Sequence, residues 1–259
     1  MNRELNSEAR VDAEGGVEIS FVVPAYNEAA VIARTLDAIH AAARAVVGEQ
    51  YEVIVADDAS TDGTGEIARQ HGANVIAVQK RQIGAVRNAG ARVAKGRVLI
   101  FVDADTVICE KPVRAAMREI ERGAAGGGAM VGFEDVSWMA RAVGRVFCEV
   151  FVLLRLAAGC FMFCRRTDFE AVGGFDEKYF ASEEIWLSKA LKARGKFVVV
   201  RAQVLTSGRK IRRFGLWGLL GRFVGIMLGG QKAVQRREGL DIWYDGVRET
   251  RDSAQGAKA

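Results

Sequence analysis

Apolar residues in the N-terminal half of the chain fall into short continuous blocks separated by amphipathic stretches. Ile19-Ser-Phe-Val-Val23 reads as a β-strand closed by Pro24, and over 28–47 the apolar residues Val31, Ile32, Leu36 and Ile39 recur with helical spacing. The unit repeats: 52–56 is a strand, the polar run DDASTDGTG leads into a helix near 66–70, and 74–78 is a third strand. A helix over 83–94 and the apolar strand RVLIFV at 97–102 follow. Strands without a polar face that alternate with helices predict an α/β fold, Rossmann-like, with a mostly parallel central sheet flanked by helices.

In such open sheets the ligand sits at the carboxyl ends of the strands. Those ends carry Pro24-Ala-Tyr-Asn-Glu28, Asp57-Asp58 and Asp103-Ala-Asp105. Any one cluster could be turn or helix-cap chemistry. Three on one edge are different, because gathered carboxylates repel unless a cation or hydrogen-bond donors compensate them. An i, i+2 aspartate pair can address one ion if the chain turns at Ala104. Hard cations complete their shell with water and substrate phosphate, so Mg²⁺ or Mn²⁺ with a diphosphate is the chemistry implied.

Composition narrows this further. With 259 residues, half of them hydrophobic, the chain can bury a real core, which excludes a disordered or collagenous protein. Two histidines, His40 and His71, leave no multi-histidine metal site and little room for a histidine base. Cys109, Cys148, Cys160 and Cys164 form no Cys-x-x-Cys pair and lie in apolar surroundings, so they are expected buried and reduced, in a cytoplasmic protein. The polar opening, residues 1–16, has no apolar signal-peptide core and is expected to be a loose tail.

The segments VVPAYNE (22–28), VIVADDASTDGT (53–64), GAVRNAGARVAKGRVLIFVDADT (84–106), GCFMFCRRTDFEAVGGFDE (159–177) and SEEIWLSKALKARG (182–195) together resemble glycosyltransferase family 2, inverting transferases of the GT-A fold. The resemblance covers roughly 18–207 in the family's order and implies a catalytic domain over 17–207, followed by an extension over 208–259. It implies a nucleotide-diphosphate sugar as donor and a saccharide, lipid-linked or other hydroxyl acceptor. Pro24, Ala25, Tyr26 and Glu28 would then lie by the nucleotide base and ribose. Asp58, with Asp57, would meet the base, Arg87 the nucleotide, and Asp103 with Ala104 the ribose. Asp105, together with Asp103, would hold the metal. The family's acidic pair before a helix is usually Glu-Asp; here it is Glu183-Glu184, and Glu184 is the expected base. Gly159 and the turn at 173–177 would form the acceptor wall. Asp168 reads as part of a short helix cap, and the glycine-rich run at 123–128, which lacks the Lys-Ser/Thr of a phosphate-binding loop, as a flexible connection.

The formal charge of +5 is segregated. Between Ile185 and Arg237 there are thirteen Lys and Arg and no Asp or Glu, which leaves the remainder of the chain at −8. This segment contains an apolar, glycine-spaced run at 214–230, interrupted by Arg222 and too short for a spanning helix. Soluble packing, a homodimer interface, or peripheral contact of 209–230 with anionic membrane at its inner face all remain open. No nucleic-acid motif accompanies the charge. Family relatives often place a histidine in the following loop; Arg209 is the substitute expected to clamp the diphosphate here. The processive Gln-x-x-Arg-Trp motif is absent, which favours transfer of one sugar. A nucleotide-sugar-binding scaffold without turnover and a sugar nucleotidyltransferase stand as alternatives.

Overall fold

The computed structural model describes residues 16–215 together with 218 and 221. The expected tail and most of the apolar run at 214–230 therefore lie outside the described residues. The first half follows the predicted alternation: β1 (Ile19–Ala25), α1 (Ile32–Val47), β2 (Tyr51–Asp57), α2 (Thr64–Gln70), β3 (Asn74–Ala77), α3 (Ile83–Val93) and β4 (Val98–Val102). After β5 (Thr106–Val107) and α4 (Glu110–Glu121) come β6 (Ala124–Glu134), α5 (Trp138–Leu154), β7 (Phe161–Arg165), α6 (Arg166–Ala171), α7 (Glu183–Arg194), β8 (Lys196–Ser207) and α8 (Arg209–Phe214).

Eight strands form one sheet in the order β3-β2-β1-β4-β7-β6-β8-β5. The run from β3 to β4 is parallel, whereas β7 is antiparallel to both β4 and β6, and β8 pairs in parallel with β6. Alternating residues of the buried strands feed two layers. Phe21, Val23, Val55 and Ile100 pack with α1 and α4, while Val22, Ile54, Leu99 and Phe101 pack with α3 and α7. That two-sided burial is why these strands are apolar throughout. Pro24 does not end β1, which runs on to Ala25; pairing with β4 covers only Ile19–Val22, so a missing N–H beyond that point removes no ladder bond on that side.

The run read as a flexible glycine connection is instead buried β6, held between β7 and β8. Glycine is depleted in strands because it packs nothing, and its presence there marks close approach of another backbone. A Cβ on Gly127 would lie 1.9 Å from the Val198 carbonyl oxygen and 2.4 Å from the Phe163 ring. Gly127→Ala is expected to cost about 1–3 kcal/mol, read as a lower urea midpoint at unchanged slope. A midpoint equal to wild type would contradict this packing. Cys109 also departs from expectation, being exposed at the start of α4, whereas Cys148, Cys160 and Cys164 are buried and free.

Candidate active site

The chain passes from β1 to β2 on one side and, after β3, to β4 on the other, so β1 lies at the topological switch point where open α/β sheets bind ligands. The loops leaving β1 and β2 are fastened together there. Asn27, at φ 52°, donates its N–H to Ser60 Oγ (2.9 Å), and its side-chain oxygen accepts from the Thr61 N–H (2.8 Å). The Glu28 N–H donates to Thr64 Oγ1 (2.8 Å), and the Ala29 N–H to Asp62 (3.0 Å). Asp57 accepts from the Ser60 N–H (3.1 Å). Buried Asp58 accepts from the Lys80 and Arg81 N–H groups (2.6 and 2.8 Å), fixing the loop after β3. Arg81 in turn lies over the Tyr26 ring, 4.3 Å from its centroid. Pro24 and Ala25 are buried beneath this rim.

At the end of β4 the chain does turn at Ala104, with the Thr106 N–H donating to the Asp103 carbonyl (3.0 Å) and Ala104 O accepting from Thr35 Oγ1 (2.8 Å). Asp103 and Asp105 line one cavity, which also contains Gly159 and Thr206. Arg209 forms a bidentate pair with Glu28 (2.7 and 2.7 Å) and reaches Asp105 Oδ2 (3.0 Å). Thus a cation from α8 already faces the β1 and β4 ends. Among the described residues no cluster of three or more His, Cys, Asp or Glu could enclose a metal. Two carboxylates opening onto a cavity nevertheless suit Mg²⁺ or Mn²⁺, which commonly take one or two carboxylates and fill the shell with water and phosphate.

Arg87 on α3 joins this edge to the acidic pair at the start of α7. It is 1% exposed; Nη2 donates to Asp103 Oδ1 (2.7 Å) and Gly159 O (2.9 Å), and Nη1 donates to Glu183 Oε1 (2.6 Å). Its buried Nε has no hydrogen-bond partner. Burial opposes its charge, but Asp103 first, then Glu183 and Glu184, outweigh this and raise its pKa. The guanidinium expected at the nucleotide therefore faces the protein's own carboxylates. Burial also raises both glutamates. At Glu183 the hydrogen-bonded Arg87 counters this, while at Glu184 the Glu183 charge adds to burial, and that carboxyl is pushed up to about 8. A Cβ on Gly159 would stand 3.2 Å from Arg87 Nη2 and 3.6 Å from Glu184 Cδ, so glycine leaves room at the point where these groups meet.

Other expectations fall elsewhere. The turn at 173–177 lines a different cavity, with Asn88, Arg166 and Phe169, and is pinned by hydrogen bonds between Asn88 and Phe175 (both 2.9 Å). Buried Asp168 lies in the first turn of α6, paired with Arg165 (2.5 Å) and Arg194 (3.3 Å). Helix α5 had no place in the sequence reading, yet its inner residues wall the cavity that ends on Asp103.

Residues 20–173 match the model of the family described as glycosyl transferase family 2. The chain belongs to this family. Among family 2 relatives, glycosyltransferase AglE of Haloferax volcanii is 38% identical over 93 residues, covering 34% of this chain and 30% of that protein. Succinoglycan biosynthesis protein ExoO of Rhizobium meliloti is 28% identical over 206 residues, 74% of this chain and 57% of that one. The chain thus spans about a third to somewhat over half of these relatives' length. Among solved structures, S. aureus TarS 1–349 superposes with TM-score 0.60 at 18% identity, covering 74% of this chain and 61% of that one. Mannosyltransferase PcManGT from Pyrobaculum calidifontis, in complex with GDP-Man and Mn²⁺, gives 0.60 at 21% identity, covering 83% and 65%. The fold is the GT-A fold of family 2.

Proposed function

We propose that this protein, with residues 17–207 as its catalytic domain, transfers a single sugar from a nucleotide-diphosphate donor to an acceptor hydroxyl with inversion, in a Mg²⁺- or Mn²⁺-dependent reaction. The observation that carries this is the Arg87 bridge, which brings the β4-end aspartate and the Glu183-Glu184 pair to one place beside Gly159. Pro24, Ala25, Tyr26, Glu28, Asp57 and Asp58 form the nucleotide side, and Asp103 with Ala104 meets the ribose. Glu184 accepts the proton of the acceptor hydroxyl as its oxygen attacks the anomeric carbon opposite the diphosphate. The glycosidic bond to the diphosphate breaks as the new one forms, so one displacement inverts the centre. When bound at Asp105 and Asp103, the divalent cation supplies stabilisation for charge on the departing diphosphate, so that no general acid is needed. Arg209 adds a fixed cation on that side.

Support for the donor class comes from likeness to TarS, solved with UDP and with UDP-GlcNAc, and to PcManGT, solved with GDP-Man and Mn²⁺. Among the described residues no helix is long and apolar enough to cross a membrane. The basic stretch from Arg209 onward supports peripheral contact with anionic lipid at the cytoplasmic face of the membrane, or a homodimer.

The test is turnover across UDP-, GDP- and TDP-sugars with Mn²⁺ or Mg²⁺. One donor is expected to be consumed, with nucleoside diphosphate released, and chelation by EDTA should lower the rate by at least about 10²-fold, restored by Mn²⁺. Donor binding without turnover under any metal would identify a scaffold instead. Turnover insensitive to EDTA would remove the metal from the reaction.

A further inference from the structure

The cavity that begins at Asp103, Asp105 and Gly159 does not stay polar. The cavity as a whole encloses about 330 Å³, and away from the carboxylates its walls include Met130 and Val131 of β6 and Val143, Phe147 and Phe151 of α5. That volume lies within the range of small-molecule sites. A sugar or diphosphate placed against those walls would lose water without gaining hydrogen bonds. These walls suit hydrocarbon, and they adjoin the carboxylates at which the acceptor hydroxyl would react.

Helix α5 itself gives the direction from which such a chain arrives. Its polar positions Arg141, Arg145 and Glu149 occupy one narrow strip, and nearly all the remaining circumference is apolar. The inner arc walls the cavity, while the outer arc carries Val146 and Leu153, which are 66% and 81% exposed; Trp138, 80% exposed, stands on the polar strip with Arg141 and Arg145. A helix apolar nearly all round belongs in an apolar environment on both sides. The same cavity is bordered by Ile211 of α8, whose neighbours Arg209, Arg212 and Arg213 are basic. An apolar outer face beside a basic helix matches the surface of an anionic bilayer.

We propose that the acceptor is a membrane lipid carrier whose hydrocarbon chain lies in the cavity beneath α5, with the outer face of α5 seated in the bilayer interface. The proposal rests on the glycosyltransferase reading and names the acceptor class for that site. It places the membrane contact on α5, whereas the sequence placed it on 209–230, most of which lies outside the described residues.

The test uses n-alkyl glucosides from hexyl to decyl, below their micelle concentrations, with dissociation constants read from the intrinsic tryptophan fluorescence of the full chain. Affinity is expected to rise about fourfold per methylene. Val143→Trp, which fills the cavity, should abolish the chain-length dependence while leaving nucleotide-sugar affinity unchanged; Val143→Ala should keep the dependence. Affinities that do not depend on chain length, or a Val143→Trp protein that follows wild type, would overturn the cavity assignment. In flotation with phosphatidylcholine vesicles containing phosphatidylglycerol, wild type should float, and Val146→Asp/Leu153→Asp should not while still binding the decyl glucoside. Failure of wild type to float, or flotation of the double variant, would overturn the membrane source. Loss of nucleotide-sugar binding by wild type would instead count against the transferase reading, since the alkyl series reports on the cavity alone.

Discussion

Replacing Glu184 with glutamine is expected to lower sugar transfer by about 10²–10⁴-fold, the range typical of a removed general base, while nucleotide-sugar affinity stays within a few-fold of wild type. The amide fills the same space and preserves contacts but cannot accept the acceptor's proton. The same substitution should stabilise the fold at neutral and alkaline pH. In the folded protein burial and Glu183 hold the Glu184 carboxyl at about 8, against an ordinary value of 4.5. Between those values the unfolded chain has released a proton that the folded chain keeps, so wild-type stability falls as pH rises through this window. Glutamine has no proton to release. The Tm advantage of Glu184→Gln should therefore grow from about pH 4.5 to about pH 8 and level off above it. Wild-type kcat/KM should rise over the upper part of that window as Glu184 loses its proton. In Glu183→Gln the rise should move to lower pH, because the neighbouring charge that helps raise Glu184 is gone. Substantial turnover by Glu184→Gln, or a Tm difference that does not change with pH, would remove Glu184 from the base role.

The parts of this site that could be read from residues are those whose physics is local. Strands β1, β2 and β4 are apolar on both faces because helices cover both, and the strand-end rule then put Asp57, Asp58, Asp103 and Asp105 on one edge. The turn at Ala104 was the condition for the i, i+2 pair to address one ion, and the chain does turn there. What escaped was set by contacts distant in sequence. Asp58 could be placed at the rim, but its use in capturing the Lys80 and Arg81 amides depends on β3 lying beside β2. The glycines of β6 look like a linker until β8 is brought against them, 71 residues on, with Gly127 opposite Val198 and Gly128 opposite Val199. Helix α5 carried a signal in the near-continuous apolar stretch of 138–154, yet periodicity alone does not say that one arc faces a cavity and the other solvent. Arg87 is the sharpest case. The family resemblance placed it at the nucleotide, and only the packing of α3 against α7 turns it into a bridge between carboxylates.

That bridge makes Arg87 the position where structure and activity should fail together. Arg87→Met removes one partner from a buried ion pair and is expected to cost roughly 3–5 kcal/mol, seen as a lower urea midpoint, with transfer lost as Asp103 and Glu183, the neighbour of Glu184, are released from their shared anchor. The cost should be larger at pH 8 than at pH 5. Glu183 is 3% exposed, so without the cation its carboxyl must stay protonated in the folded protein, whereas the unfolded chain ionises it. Arg87→Lys should recover part of the stability but little activity. A single ammonium cannot reproduce the fork that reaches Asp103 and Gly159 through one nitrogen and Glu183 through the other. The double variant Arg87→Met/Glu183→Gln separates the two roles. Removing the orphaned carboxylate should restore part of the lost stability and abolish its added pH dependence, because a neutral amide has no charge to bury. Transfer should remain lost, since nothing then ties Asp103 to the α7 end. Recovery of transfer in the double variant would mean that Arg87 serves only to neutralise Glu183, and that the alignment of Asp103 with Glu184 is maintained by the sheet and α7 alone.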